Sequence, residues 1–287
     1  MSTTAVPARS ETRRARGERV SMLVRTPSVV FGAVVLLFWI VCAVLRDRIT
    51  PYDPIFDQTP DLFQSPSSEY WFGTDRLGRD VFSRVIAGSR DILLVASAAT
   101  LLAALIGTAL GLVTGYLRRA DDVVSRLLEA VLALPLIVVA ITAITAVGTR
   151  SAWVVTLVIA IVFSPPIART VRAAVLAEGS LDYVQAARLR GERAGYIMFQ
   201  EILPNVMAPV VVEATVRLGY AMFTVAGLTF IGYGLQPPSP DWAVQVTDNY
   251  ASIDPYWWPV LFPGLAIASL VVAVNLLADG IREVYER

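Results

Sequence analysis

The chain has 287 residues, of which 55% are hydrophobic and only 17% charged, with zero formal net charge and a mean hydropathy of +0.60. Soluble domains run nearer a quarter charged, so one or two soluble domains are not what this composition describes. All 24 basic residues are arginine, with no lysine or histidine, which excludes a phosphate-loop lysine, a Schiff-base lysine, a Ser-His-Asp triad and an HExxH zinc site.

Residues 1–28 form an arginine-rich tail. Six apolar runs follow, at about 29–45, 92–113, 129–147, 152–168, 205–231 and 259–278. Each approaches the ~20 apolar residues that cross a bilayer, and none alternates with period two, so helices rather than a barrel are predicted. The expected fold is therefore all-α, a polytopic membrane protein with six transmembrane helices. The first run reads as a retained span, because it follows a long tail and Leu45-Arg46-Asp47 offers no small-residue cleavage exit. It carries the lone cysteine, Cys42, which reads as a small hydrophobe.

Arginine placement orients the chain. Arg9, Arg13, Arg14, Arg16, Arg19 and Arg25 precede the first span, whereas only Arg46 and Arg48 follow it closely. This predicts a cytoplasmic N-terminus in an inner or plasma membrane. Six spans bring the tail 282–287 to the same side, with loops 114–128 and 169–204.

The outer segment 46–91 opens with Pro-, Asp- and Ser-rich sequence, which favours turns. Leu77, Val81 and Val85 then recur at helical spacing with Arg76, Arg79, Asp80 and Arg84 interleaved, the pattern of an amphipathic helix lying on the membrane surface. An interfacial connector and a docking surface for an extracellular partner both fit it. In the second span Gly107, Gly111 and Gly115 repeat every four residues and make a small-residue face. Its partner helix lies either in this chain or in another. Pro135, Pro165 and Pro166 mark kinks, either hinges or irregularities of packing.

The loop 169–204 is too polar to span and too patterned to be floppy. Asp182 can cap a short helix and Gly191 can stop it. A second segment, 195–203, leads to Pro204 at the entry to the fifth span. Two short helices bent at a glycine make a compact knob, and small residues at the bend let it enter a partner's cleft. Within the fifth span, Glu213 and Arg217 share one helix face, about 13 and 20 Å from Pro204 at ~1.5 Å per residue. Intramembrane charges face a cavity or a partner; here a pathway-lining pair and a self-neutralising pair remain alternatives. In the outer loop 232–258, Trp242, Trp257 and Trp258 read as an interfacial aromatic belt.

Gln185-Ala186-Ala187, then Gly191, then Ile202-Leu203-Pro204 resemble the "EAA" loop of binding-protein-dependent ABC importer permeases. Gln185 stands where that pattern has Glu, so an amide replaces the charge. FGTDRLGRDVFSRVIAGSR (72–90), AGLTFIGYGLQPPSPDWA (226–243) and NLLADGIRE (275–283) are similar to the C-type permease subunit of the dipeptide, oligopeptide and nickel group. The resemblance spans roughly residues 25–285.

The resemblance implies a five-helix permease core over 92–281, with the coupling loop 169–204, plus a peripheral first helix. It implies a second homologous permease subunit, two ATPase subunits or one fused ATPase, and an extracellular substrate-binding protein. No cofactor belongs to this chain; ATP and Mg are bound by the ATPases. Transport of dipeptides or short oligopeptides would proceed by alternating access, with nickel or another small solute as the alternative cargo. Gln185, Ala186, Ala187, Gly191, Leu203 and Pro204 would couple to the ATPase, and a bulky charged residue at 187 is expected to uncouple it. Glu213 and Arg217 are candidate pathway residues, and Asp75, Arg79, Asp80 and Arg84 are candidate contacts for the binding protein. Nothing points to nucleic acid; the lipid bilayer is the solvent. An intramembrane enzyme lacks its motifs here, and a stand-alone transporter or channel would leave the knob without a use.

Overall fold

The structure, a computed structural model, describes residues 26–286, so most of the arginine-rich tail lies outside the described residues. Among these residues the secondary structure is helical, with one isolated bridge between Thr74 and Asp80 and no strand. Helix α1 (Pro27–Ile49) has proline at its first turn, where no amide partner is needed. Helix α2 (Val81–Tyr116) starts where the Asp80 carboxylate accepts the Ser83 amide at 2.8 Å. After α2 come α3 (Arg118–Leu132), α4 (Leu136–Val147) and α5 (Ala152–Glu178). The hairpin helix α6 (Asp182–Leu189) is followed by the turn Ala194–Tyr196, a π-helical stretch Ile197–Ile202 and α7 (Leu203–Phe230). A short α8 (Trp242–Asn249) and the last helix α9 (Trp258–Glu286) complete the chain.

Among the described residues, five helices are long and apolar enough to cross a membrane, and six if the bent pair α3–α4 is counted as one span. The third run, expected as one span over 129–147 with a kink at Pro135, is divided there into two helices. The two pieces meet at 98°, because Pro135 lacks an amide hydrogen and sits in extended backbone (φ −59°, ψ 122°) at the start of α4. Residues 118–128, expected in a loop, are helical and belong to α3.

The core is built on α2 and α5, which make the most extensive helix contact. A Cβ on Gly107, Gly111 or Gly115 would come within 2.6–2.7 Å of Ile167, Val171 or Val175 respectively. The partner of the glycine face thus lies in this chain, and only glycine allows that approach. Pro165 and Pro166 are buried inside α5, which continues through them. Helix α1 is the peripheral one. Phe31, Val34, Leu37 and Phe38 face outward, while Trp39 donates its indole N–H to Ser269 Oγ on α9 at 2.9 Å. Cys42 is buried as a small apolar side chain.

Two corrections concern the end of the bundle away from α6. No separate interfacial helix exists over 76–90; residues 72–80 are turns, and the helix begins at Val81 and runs unbroken to Tyr116. Trp242 and Trp258 are not belt residues. Both are buried, donating indole N–H groups to Val85 O at 2.6 Å and Thr74 O at 3.0 Å. Trp257 alone of the three remains exposed.

Candidate functional site

The loop expected to carry function folds as a helical hairpin. Asp182 is the first residue of α6 rather than its cap, since Leu181 holds the cap position and no side chain accepts there. The stop is the one anticipated. Gly191 adopts φ +76°, its amide donates to Arg188 O at 3.0 Å, and the Glu192 amide donates to Ala187 O at 3.2 Å. This paired arrangement closes a helix with a left-handed residue, which glycine accepts without a Cβ clash. Pro204 then forces a register change. Having no amide to offer the preceding turn, it follows a π-helical stretch in which the Leu203 amide reaches back to Met198 O.

The hairpin sorts its alanines by face. Ala187 is fully buried, in one cluster with Val184, Ile197 and Ile202. Ala186 and Gln185 are exposed. The expectation for position 187 is corrected accordingly: a large residue there would meet the hairpin's own base, not a partner's cleft. Gln185 Nε2 donates to Gly179 O at 3.0 Å, so the amide at the Glu position of the pattern holds the hairpin to the end of α5. Gly191 and Pro204 are exposed at the bend and exit, and Leu203 is partly buried.

Several residues that sequence reasoning passed over anchor this hairpin. Tyr183 donates its hydroxyl to Glu178 at 2.7 Å and receives the Asn205 amide at 3.1 Å, joining α6 to α5 and α7. The Arg188 guanidinium lies over the Tyr116 ring at the end of α2. Arg190 pairs with Glu201 at 3.5 Å. At the tip, Leu189 is 90% exposed between two arginines. Its signal in sequence was an apolar residue where the helix turns toward solvent; the anchors had no local signal, since their partners lie in other helices. Beside the hairpin, Arg172 on α5 and Asp121 on α3 form a two-pronged ion pair at 2.6 Å on each prong.

Glu213 and Arg217 do form a pair. Arg217 donates through Nε at 2.8 Å and Nη2 at 2.5 Å to Glu213 Oε1, and its guanidinium also lies over the Tyr220 ring. Both line a cleft of about 550 Å³ between α5, α7 and α9, with Thr170, Val216 and Arg282. The pair is thus neutralised within α7 and also lines a cleft.

At the opposite end of the bundle, Asp75, Arg79, Asp80 and Arg84 are all buried. Asp75, Arg79 and Arg84 are engaged with one another, and Asp80 is reached only through the cavity that it lines. Asp75 Oδ2 takes Arg79 Nε at 2.8 Å and lies 3.6 Å from Arg84 Nε, and Asp248 lies 3.7 Å from Arg79 Nη2. Arg84 also donates to Pro54 O at 2.8 Å and Ser239 O at 3.3 Å. This knot ties the segments before α2 and around α8 to α2. Arg76 stays accessible and reaches Asp248 at 3.2 Å.

Similarity to known proteins agrees with this geometry. The family described as "Binding-protein-dependent transport system inner membrane component" matches residues 104–287. The dipeptide transport system permease protein DppC of Alkalihalophilus pseudofirmus is 36% identical over 267 residues, covering 93% of this chain and 88% of that protein. The di/tripeptide transport system permease protein DppC of Pseudomonas aeruginosa is 38% identical over 262 residues, 88% and 85% of the two chains. The probable D,D-dipeptide transport system permease protein DdpC of Escherichia coli is 35% identical over 286 residues, 99% and 95% of the two chains.

Proposed function

The chain belongs to the family of binding-protein-dependent transport system inner membrane components, and from that premise we propose that it is the C-type permease subunit of an ATP-driven importer of dipeptides or short oligopeptides. In this reading it pairs with a second homologous permease subunit to form the pathway. Two ATPase subunits, or one fused, bind ATP and Mg on the cytoplasmic side, and an extracellular binding protein delivers the peptide. Both termini and the α6 hairpin face the cytoplasm, and the ion-pair knot faces outward.

One observation carries the coupling role: the hairpin presents an exposed tip while its base is fastened to three membrane helices. Tyr183 joins it to α5 and α7, and Arg188 to α2. A tip seated in an ATPase cleft would therefore move those helices with it. Gln185, Ala186 and Leu189 are the residues that would meet the ATPase; Ala187, Gly191, Leu203 and Pro204 would set the shape of the hairpin and its exit. The cleft holding Glu213 and Arg217 presents both signs of charge, as a zwitterionic peptide requires. ATP-driven closure of the ATPase dimer would then tilt the bundle between inward- and outward-facing states.

The test is purification of the tagged chain in mild detergent, followed by reconstitution. Co-purification of a second permease and an ATPase, with ATP hydrolysis stimulated by peptide-loaded binding protein, is the expected outcome. A lone chain that conducts ions would overturn the reading.

A further inference from the structure

The segment between α1 and α2 borders an open cavity of about 230 Å³ that the ion-pair knot leaves unused. Its lining includes two carboxylates, Asp57 and Asp80, and two tyrosines, Tyr52 and Tyr70. The tyrosine rings are stacked, with centroids 5.1 Å apart and planes 26° from parallel. Asp57 is exposed at the rim, and its Oδ2 accepts the Asp53 amide at 2.7 Å.

Asp80 is 2% exposed. Its Oδ2 is occupied by the Ser83 amide as the cap of α2, but Oδ1 has no hydrogen-bond partner. The nearby arginines do not supply one, because Arg79 and Arg84 direct their guanidinium groups at Asp75 and Asp248. A buried acceptor without a donor is costly, more so when charged, and such groups recur where an outside donor completes them. Burial also pushes the Asp80 carboxyl up from its ordinary value, the direction that a bound cation would reverse.

We propose that this cavity binds a single cationic head, an alkylammonium or alkylguanidinium, placed against the Tyr52 and Tyr70 rings and donating to Asp80 Oδ1, with Asp57 at the rim. Either head carries only donors, which suits the two carboxylates, and aromatic faces attract cations. Two sources share this chemistry: a basic side chain on a docking protein, and the amino terminus of a free peptide. Cation occupancy is measured on the full-length chain without any transport step; only the identity of the natural head rests on the proposed transport function.

Saturation-transfer NMR on the full-length chain in detergent, at low salt, tests this with n-propylammonium, N-ethylguanidinium and neutral propionamide. The wild type should transfer saturation to both cations and not to the amide. Asp80→Asn keeps an acceptor for the Ser83 amide but loses the charge, and should weaken cation binding about tenfold or more. Asp57→Asn, at an exposed position that does not threaten folding, should weaken it about threefold. No transfer in the wild type, or equal transfer in wild type and Asp57→Asn, overturns the proposal whatever happens to Asp80→Asn. Displacement of propylammonium by tetraglycine but not N-acetyltetraglycine identifies a peptide amine as the natural head. Displacement by added binding protein identifies a basic side chain, and displacement by neither also overturns the proposal.

Discussion

The guanidinium carbon of Arg188 sits 4.9 Å from the centroid of the Tyr116 ring, so the hairpin helix α6 rests on the last residue of α2. No backbone hydrogen bond duplicates that contact, and the two residues are far apart in sequence. Arg188 is exposed, which places the contact at about 0.5–1 kcal/mol. Arg188→Ala and Tyr116→Leu should each lower peptide stimulation of ATP hydrolysis about two- to fivefold while membrane insertion and yield stay unchanged. The double variant should be no worse than the single ones if the contact acts as a pair.

Ala186 and Ala187 are neighbours with opposite duties. Ala187→Leu inserts methylene groups into a closed cluster and should destabilise the hairpin by about 1–3 kcal/mol, seen as a lower thermal midpoint and faster proteolysis near residue 190. Ala186→Arg should leave both measurements at wild-type values and still abolish stimulated hydrolysis. If Ala186→Arg transported normally, the exposed face of α6 would not be a docking face.

Asp75 stands between two buried arginines. Asp75→Asn leaves Arg79 and Arg84 without their shared carboxylate and should cost about 3–5 kcal/mol, because the uncompensated charges remain buried. The expected readout is loss of folded, monodisperse protein on detergent extraction. Arg76→Ala removes only an accessible partner of Asp248 and should shift stability by less than about 1 kcal/mol.

Asp241 gives the start of α8 a pH dependence. Its side chain accepts the Ala243 and Val244 amides at the start of α8, yet burial, aided by the nearby Asp91, pushes its pKa from 3.8 up to about 7. The folded chain then holds this proton more tightly than the unfolded one. Stability is full below about 4 and falls as pH rises to about 7. Asp241→Asn keeps the cap and removes the charge. It should raise the thermal midpoint at pH 8 and leave it unchanged at pH 4; parallel curves for variant and wild type would refute the assignment.

The apolar runs, the hairpin with its glycine stop, and the Glu213–Arg217 pair were legible because each depends on residues close in sequence. Hydropathy, the positive φ of Gly191 and a four-residue spacing are local facts. What escaped was decided by distant partners. Arg79 and Arg84 looked like the polar side of a surface helix, and only the carbonyls of Pro54 and Ser239 with Asp75 and Asp248 turn them inward. Trp242 looked interfacial until Val85 supplied its acceptor. Pro135 signalled a kink but not its size, since a bend of 98° needs α3 to find a tie of its own, and that tie is Arg172.

The glycine seam makes α2 and α5 a single girder. Two helices locked backbone to side chain along Gly107, Gly111 and Gly115 cannot roll independently without lifting apart. With 36 residues at ~1.5 Å each, α2 extends about 54 Å from Val81, beside the ion-pair knot, to Tyr116. On the proposed coupling, a push at the hairpin would reach the far end as leverage rather than torsion, and the segments before α2 and around α8 would swing with the beam that carries them.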